Sequence, residues 1–444
     1  MNMQKKICRN RQNEKLITAL VANSKGEIFD LDGYAAVGME GSFFQPLTIK
    51  DTVKLPYGSE LMFLPDRKPV LFNIKKGMFE TLHENPYIPG EIIYPVASFN
   101  SPGYMVTYNS AYQDVETKAP LPLFSYGAVG WDNDGFRSAV LLVDKEKRQD
   151  LRLMPREKVV SGVSRMQEKM PDNRLRSHLE NCALVYGCPA AKNFFIGRFE
   201  APLPTSRQCN ARCMGCISLQ KSGRISNCQD RISFTPTPDE IAEIALEHMK
   251  NVKNSVVSFG QGCEGDPLMA WEVILPAIKK IRQGNGQGTI NMNTNGSRPD
   301  IVAMLFDEGL DSIRVSINSV RESCYQMYFR PTGYHFSDVL KTIEMGIHRK
   351  RFVSVNYLNC PGITDTPEEW DALLSFLDHY PIHMIQWRNL NYDPLRYRKA
   401  MEKADKQGVP IGMEKLVHRI KKWVPDLIHG YFNPPRENFL TSHA

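Results

Sequence analysis

Hydrophobic positions along this chain change period twice. From about residue 16 to 155 they come in short runs, Leu61-Met-Phe-Leu, Val70-Leu-Phe-Asn, Tyr104-Met-Val-Thr and Ala139-Val-Leu-Leu-Val, separated by Gly, Pro, Asn and Asp. Apolar runs of this length between turn formers predict strands. Leu16 to Ala22, followed by Gly26-Glu-Ile-Phe, reads as a strand pair. Asn133-Asp-Gly135 reads as a hairpin turn, because Asn and Gly tolerate positive φ. Residues 156–187 then space Val159, Val160, Val163, Met166, Leu175, Leu179 and Leu184 among mixed charges, which predicts connecting helices.

From Lys192 a strand-then-helix rhythm takes over. Strands are expected at 193–199, 255–259, 289–294, 312–318, 352–359 and 384–390, with helices between them. Thr237 stands at an N-cap, Pro238 at the first helical position and Glu240 three after the cap; Ile241, Ile244, Ala245 and Met249 follow along one face. Thr366-Pro-Glu-Glu369 repeats that opening ahead of Trp370, Leu373, Leu374 and Leu377. Alternation of this kind implies parallel strands with right-handed crossovers. The expected fold is α/β, an incomplete TIM-like barrel of six (β/α) units over 192–392. Residues 1–155 form a β-rich accessory domain in this reading, 156–191 a helical connector and 393–444 a C-terminal helical extension. Within that extension Leu416, Ile420 and Trp423 alternate with Lys415, His418, Arg419, Lys421 and Lys422, as in an amphipathic helix packed on the barrel.

Composition adds limits. A chain of 444 residues with 42% hydrophobic content can bury two or three cores, and a formal charge of +6 spread over that length selects no partner. Ten scattered cysteines do not resemble a small secreted disulfide framework, so a reducing compartment is expected. Lys5, Lys6, Arg9, Arg11 and Lys15 ahead of Leu16 to Ala22 imitate a signal peptide, but the strand-pair reading takes precedence. No stretch approaches the roughly 20 apolar residues of a membrane span. A cytoplasmic protein without membrane contact is expected. The basic run His348-Arg-Lys-Arg351 falls at a helix end, where the helix dipole accounts for it, and no nucleic-acid contact is expected.

The chemistry concentrates in Ser206-Arg-Gln-Cys-Asn-Ala-Arg-Cys-Met-Gly-Cys-Ile-Ser, where Cys209, Cys213 and Cys216 form a C-x3-C-x2-C array. Three thiolates from one loop are one ligand short of a four-iron cubane and leave one iron open to a small molecule. A zinc loop is the competing reading, but structural zinc takes four ligands and the nearest further cysteine, Cys228, has no paired neighbour. The triplet follows the first expected strand, and barrels of this class gather reacting groups at the carboxyl ends of their strands. The later strand ends carry Gly260-Gln-Gly-Cys-Glu-Gly-Asp-Pro267, Asn293-Thr-Asn-Gly296, Ser316-Ile-Asn-Ser319, Asn356-Tyr-Leu-Asn-Cys-Pro-Gly362 and Gln386-Trp-Arg-Asn389.

With those residues in place, positions 192–392 resemble the radical S-adenosylmethionine enzymes. The resemblance implies a [4Fe-4S] cluster held by Cys209, Cys213 and Cys216. It implies S-adenosyl-L-methionine on the open iron, reductive cleavage to a 5′-deoxyadenosyl radical, hydrogen abstraction from a substrate, and an electron donor such as flavodoxin or ferredoxin. Gly262, Glu264, Gly265 and Asp266 would match the family's glycine-rich segment, Ser316 and Asn318 its ribose-contacting positions, and Asn293 and Asn295 further cofactor contacts.

Two departures stand out. Gly215 occupies the place of the aromatic residue that usually precedes the third cysteine, so adenine packing must come from elsewhere, such as Ile217 or the sixth strand. The glycine-rich segment carries an added residue pair, leaving Glu264 and Asp266 as alternatives for one position.

Other features carry less. Gly284-Asn-Gly-Gln-Gly288 precedes a strand instead of opening a helix, so it reads as a loop and not a dinucleotide site. Cys263 and Cys360 sit at strand ends, where a thiol could relay hydrogen to a substrate; buried packing competes with that role. Cys182, Cys188, Cys228 and Cys263 match no second-cluster spacing. Tyr325, Tyr328 and Arg330 could line the mouth or cap the barrel. The substrate class stays open between a peptide or protein and a small molecule. A non-catalytic iron-sulfur or zinc-binding interaction protein is the alternative function.

Overall fold

The computed structural model describes residues 14–114, 119–133, 135–220, 223–284 and 286–442. Lys5, Lys6, Arg9 and Arg11, Asp134 of the expected hairpin turn and Asn285 of the glycine-rich loop lie outside the described residues.

The N-terminal third is built from short antiparallel strands. Thr18–Asn23 pairs with Ile28–Ala35, and Val129–Asp132 pairs with Gly135–Ser138, with Asp132 opposite Gly135 at φ +125. Neighbouring residues of a strand face different small cores: Ala19 and Val21 join Leu31 and Ile93 in one, Leu20 and Ala22 join Val96 and Val129 in another, and Val70, Phe72, Tyr112 and Tyr126 share a third. Three helices follow: Arg156–Lys169, Arg174–Leu184 and Pro189–Phe195.

Seven parallel strands then form one sheet in sequence order among the described residues: Glu200–Pro202, Val256–Phe259, Thr289–Thr294, Ser312–Ile317, Phe352–Asn359, Met384–Asn389 and Ile428–Gly430. It is a half-barrel with helices packed outside. The fully buried Val257, Ile290, Ile313, Val353 and Ile385 join it to Ile244, Ile278, Leu305 and Ile343 of those helices in one large core. The expected capping box at Thr237 is present: its side chain accepts from Glu240 N, and its own N donates to Glu240 Oε2 at 2.7 Å. Thr366 caps the second such helix, but Glu369 is drawn into the core. It accepts there from Ser319 Oγ at 2.7 Å, Arg321 Nε at 2.8 Å and the Tyr357 hydroxyl.

Three sequence expectations need correction. Residues 193–199 are not the first strand. Pro189 starts a helix that runs to Phe195, Gly197 and Phe199 turn at positive φ, and the strand is only Glu200–Pro202. A short apolar run such as Phe194-Phe195-Ile196 cannot distinguish a buried helix from a strand by period alone. The sheet has seven strands instead of six, since Ile428–Gly430 inside the expected helical extension pairs with the sixth strand. The helix Met413–Trp423 does bury Leu416 and Ile420, but Trp423 is exposed and donates to Asp378.

The basic run is accounted for locally. Arg349 pairs with Asp307, and Arg351 donates to the Phe306 carbonyl at 3.0 Å. No helix of the described residues is long and apolar enough to cross a membrane.

Candidate iron-sulfur site at the sheet's carboxyl end

Between the first strand and the helix Pro238–Asn251 the described chain forms no regular element, and the cysteine triplet lies in this stretch. Its shape is imposed by neighbouring strand ends. Glu264, after the second strand, accepts four backbone N–H groups: Thr205 and Ser206 on one oxygen at 2.7 and 2.8 Å, Gly260 and Gln261 on the other at 2.7 Å each. Gly265 N donates to Ser206 O at 2.7 Å, and Asp266 N to Gln208 O at 2.9 Å. The approach is so close that a Cβ on Gly265 would lie 1.8 Å from Gln208 O. Asp266 accepts in turn from Thr294 Oγ1 and Asn295 N at 2.8 and 2.6 Å. Asn295 reaches Asn210, between the first two cysteines, at 2.7 Å. From the other side Arg212 N and Met214 N donate to the carbonyls of Phe329 and Tyr328. Burial pushes Glu264 up to about 7 and Asp266 up to about 6, against the pull of those N–H donors.

All three cysteines open onto one cavity of about 1070 Å³. Arg212, Arg224, Arg231, Arg330 and Arg396 also line it, and among the described residues its lining includes no carboxylate. Arg231 Nη2 stands 3.6 Å from Cys216 Sγ. Burial raises the Cys209 thiol to about 11 and drives Cys213 well above the ordinary range, with the neighbouring thiols adding to both. Buried, mutually repelling thiols are the state that bound cations reverse. Among the described residues the triplet is not a set whose ligand atoms all lie within 4.8 Å of one another. A cubane gives each thiolate its own iron, so three thiols along one cavity wall suit it, whereas a structural zinc would lack a fourth ligand in that wall among the described residues. The donor set therefore fits the cluster.

Gly215 has a physical reason. A Cβ there would lie 3.1 Å from Tyr328 Oη and 3.5 Å from Tyr392 Cβ, so aromatic rings from the chain after the fourth and sixth strands already occupy that side. Tyr392 and Arg330 line the cavity, the latter from a left-handed C-cap at φ +47; Tyr325 is buried and stacks on Phe329, capping the core.

The other expected site residues lie elsewhere. Gly262, Glu264, Gly265, Asp266, Asn293, Asn295, Ser316 and Asn318 are not in the wall of this cavity. Asn293 donates to Gly260 O at 3.1 Å, and Asn318 to Cys324 O and Tyr397 Oη, while Ser316 is half-buried on the fourth strand. Neither Cys263 nor Cys360 lines the cavity. Cys263 is hydrogen-bonded with Cys182, and Cys360 is buried beside Asn109 of the N-terminal strands. Both follow the carboxyl ends of their strands, as expected, and both are buried.

Asn359 and Asn389, polar signals at the fifth and sixth strand ends, are staples to the N-terminal region. Asn389 accepts from Val106 N and donates to Tyr104 O, and Asn359 donates to Val106 O, all at 2.8–2.9 Å. Sequence reasoning missed Arg224, Arg231, Arg396 and Tyr392, which carry no spacing signal. Arg212, inside the triplet, could have been singled out.

Residues 203–377 match the family model described as Radical SAM superfamily. Among solved structures, the chain is similar to native anSMEcpe with bound AdoMet at 16% identity and TM-score 0.33, covering 44% of this chain and 52% of that one. SuiB of Streptococcus suis bound to precursor peptide SuiA gives 12% identity, TM-score 0.38 and coverage of 57% and 50%. A radical SAM methyltransferase from Sphaerobacter thermophilus gives 14%, 0.35 and coverage of 50% and 62%. The chain thus spans less than two thirds of each of these proteins. No curated protein matches it in sequence.

Proposed function

We propose that this chain, an enzyme carrying a radical SAM domain over residues 203–377, holds a [4Fe-4S] cluster through Cys209, Cys213 and Cys216 and acts on an acidic substrate of small-molecule size. When bound, that cluster would supply the electron that splits S-adenosyl-L-methionine into methionine and a 5′-deoxyadenosyl radical, which would take a hydrogen atom from the substrate. A flavodoxin- or ferredoxin-type protein is the expected electron donor.

The observation that carries the reading is the convergence of all three thiols on one cavity at the carboxyl end of a parallel sheet. The chain's own residues have separable tasks. Glu264, Gly265 and Asp266 are positioning residues, since their bonds run to the backbone of the cysteine loop and the adjoining strand ends. Tyr392 offers the aromatic face that Gly215 lacks. The five guanidinium groups favour anionic ligands: the thiolate-bound cluster, the cofactor's carboxylate and an acidic substrate. A cavity of about 1070 Å³ bordered by Pro120 of the N-terminal region has room for cofactor and a small molecule together.

Anaerobic reconstitution, iron and sulfide analysis, and assay of 5′-deoxyadenosine after adding dithionite and S-adenosylmethionine test this. Four irons per chain and cleavage that disappears in Cys213→Ala are expected. A fully reconstituted protein that neither binds nor cleaves S-adenosylmethionine would overturn the reading in favour of a non-catalytic iron-sulfur protein.

A further inference from the structure

A second group of metal-binding side chains lies behind the cysteine loop. His178 and Cys182 are four apart on the helix Arg174–Leu184 and therefore share a face. Opposite them stands Cys263, in the loop after the second strand. One ligand atom from each of the three lies within 4.8 Å of the other two, the group of this kind found among the described residues. His178 Nε2 to Cys182 Sγ is 3.5 Å. A tetrahedral zinc with Zn–S of about 2.3 Å and Zn–N of about 2.0–2.1 Å sets that edge at about 3.5 Å. Cys182 and Cys263 are buried and His178 half-buried. Cys188, at the N-cap of the next helix, is not one of the three.

We propose that His178, Cys182 and Cys263 bind a single zinc ion distinct from the cysteine triplet. Two thiolates and an imidazole converging on one point select a borderline-soft ion of tetrahedral preference and disfavour magnesium or calcium. The ion tethers an outer helix to the loop whose next residue, Glu264, holds Thr205 and Ser206. It thereby fixes the frame on which the cysteine loop is folded. The inference stands independently of what the triplet binds.

The test is zinc and iron analysis of the purified full chain after anaerobic reconstitution. About one zinc per chain is expected. The zinc content should fall by about tenfold or more in Cys182→Ser and in His178→Gln, the second of which keeps the side chain's bulk. It should be unchanged in Cys228→Ser, and also in the triple Cys209→Ser, Cys213→Ser, Cys216→Ser, which loses iron. Growth on cobalt gives a second readout that does not depend on a variant folding. Sulfur-to-cobalt charge transfer with intense tetrahedral ligand-field bands in the unmodified chain supports the site. Zinc that leaves with the triplet, zinc retained when Cys182 and Cys263 are both replaced, or recovery of Cys182 and Cys263 as a disulfide or as metal-free thiols overturns it.

Discussion

Gly265→Ala tests the central structural claim, that the cysteine loop is shaped from outside. Gly265 does not have the positive φ that favours glycine, so its importance lies in space. A Cβ would sit 1.8 Å from Gln208 O, 2.4 Å from Gln208 C and 3.1 Å from Cys209 N, all backbone atoms that cannot rotate away. Relief requires the strands of loop to separate by about 1.5 Å, since ordinary carbon contacts begin near 3.5 Å. That movement breaks the bonds from Gly265 N to Ser206 O and from Asp266 N to Gln208 O. Leaving buried partners unpaired costs about 1–3 kcal/mol each, so the two lost bonds destabilise by about 2–6 kcal/mol. For a unit of the half-barrel's size this lowers Tm by about 2–4 °C per kcal/mol. Because Cys209 is the next residue after Gln208, the cluster should suffer as well. After anaerobic reconstitution we expect less than half the iron and sulfide of the parent, on the order expected for a ligand loop displaced by 1 Å or more. Gly262→Ala is the matched control. Its Cβ would meet Ile217 Cδ1 at 2.7 Å and Gln229 Nε2 at 3.0 Å, both ends of side chains that can turn aside. Gly265→Ala with parental iron content and unchanged Tm would refute the reasoning.

Three further outcomes are expected. Arg231→Met removes the guanidinium 3.6 Å from Cys216 Sγ and should lower the cluster's reduction potential, read by an electron paramagnetic resonance titration; a raised potential would contradict the assigned electrostatics. His248 is buried on its helix, bonded to Phe199 O at 3.2 Å, and burial holds it down at about 4 from 6.5, so the unfolded chain binds the extra proton between those values. Stability is therefore fully present above pH 6.5 and falls by about 3 kcal/mol as pH drops to 4; in His248→Leu, denaturant unfolding across that range should lose this part of the slope. Cys360→Ala should leave 5′-deoxyadenosine formation within about twofold of the parent, and a loss beyond about tenfold would return that thiol to the reacting site.

The sheet was largely legible. Thr289–Thr294 and Phe352–Asn359 coincide with the expected strands, because buried parallel strands leave apolar runs bounded by turn residues. The first strand was not. Its three residues follow a more hydrophobic segment that became a helix under the influence of Pro189, and no local period separates the two outcomes. Glu369 shows the same limit: its place in a capping sequence is visible, while its recruitment by Ser319, Arg321 and Tyr357 depends on residues 12 to 50 positions away.

The sequence by itself determined which donors the loop offers, since three thiols within eight residues travel together wherever it is carried. That the loop follows the short strand Glu200–Pro202, at the carboxyl end of the sheet, was decided by the fold. Only the tertiary structure decided what surrounds it. Pro120, Arg231, Arg330 and Tyr392 come from distant segments and meet in one wall, while Asn359 and Asn389, equally polar at equally suggestive strand ends, are consumed by hydrogen bonds to Tyr104 and Val106. The difference is physical: ligand spacing and periodicity are local properties of a chain. Whether a polar side chain is spent on the fold or left facing a cavity depends on which backbone groups a distant segment brings within about 3 Å of it.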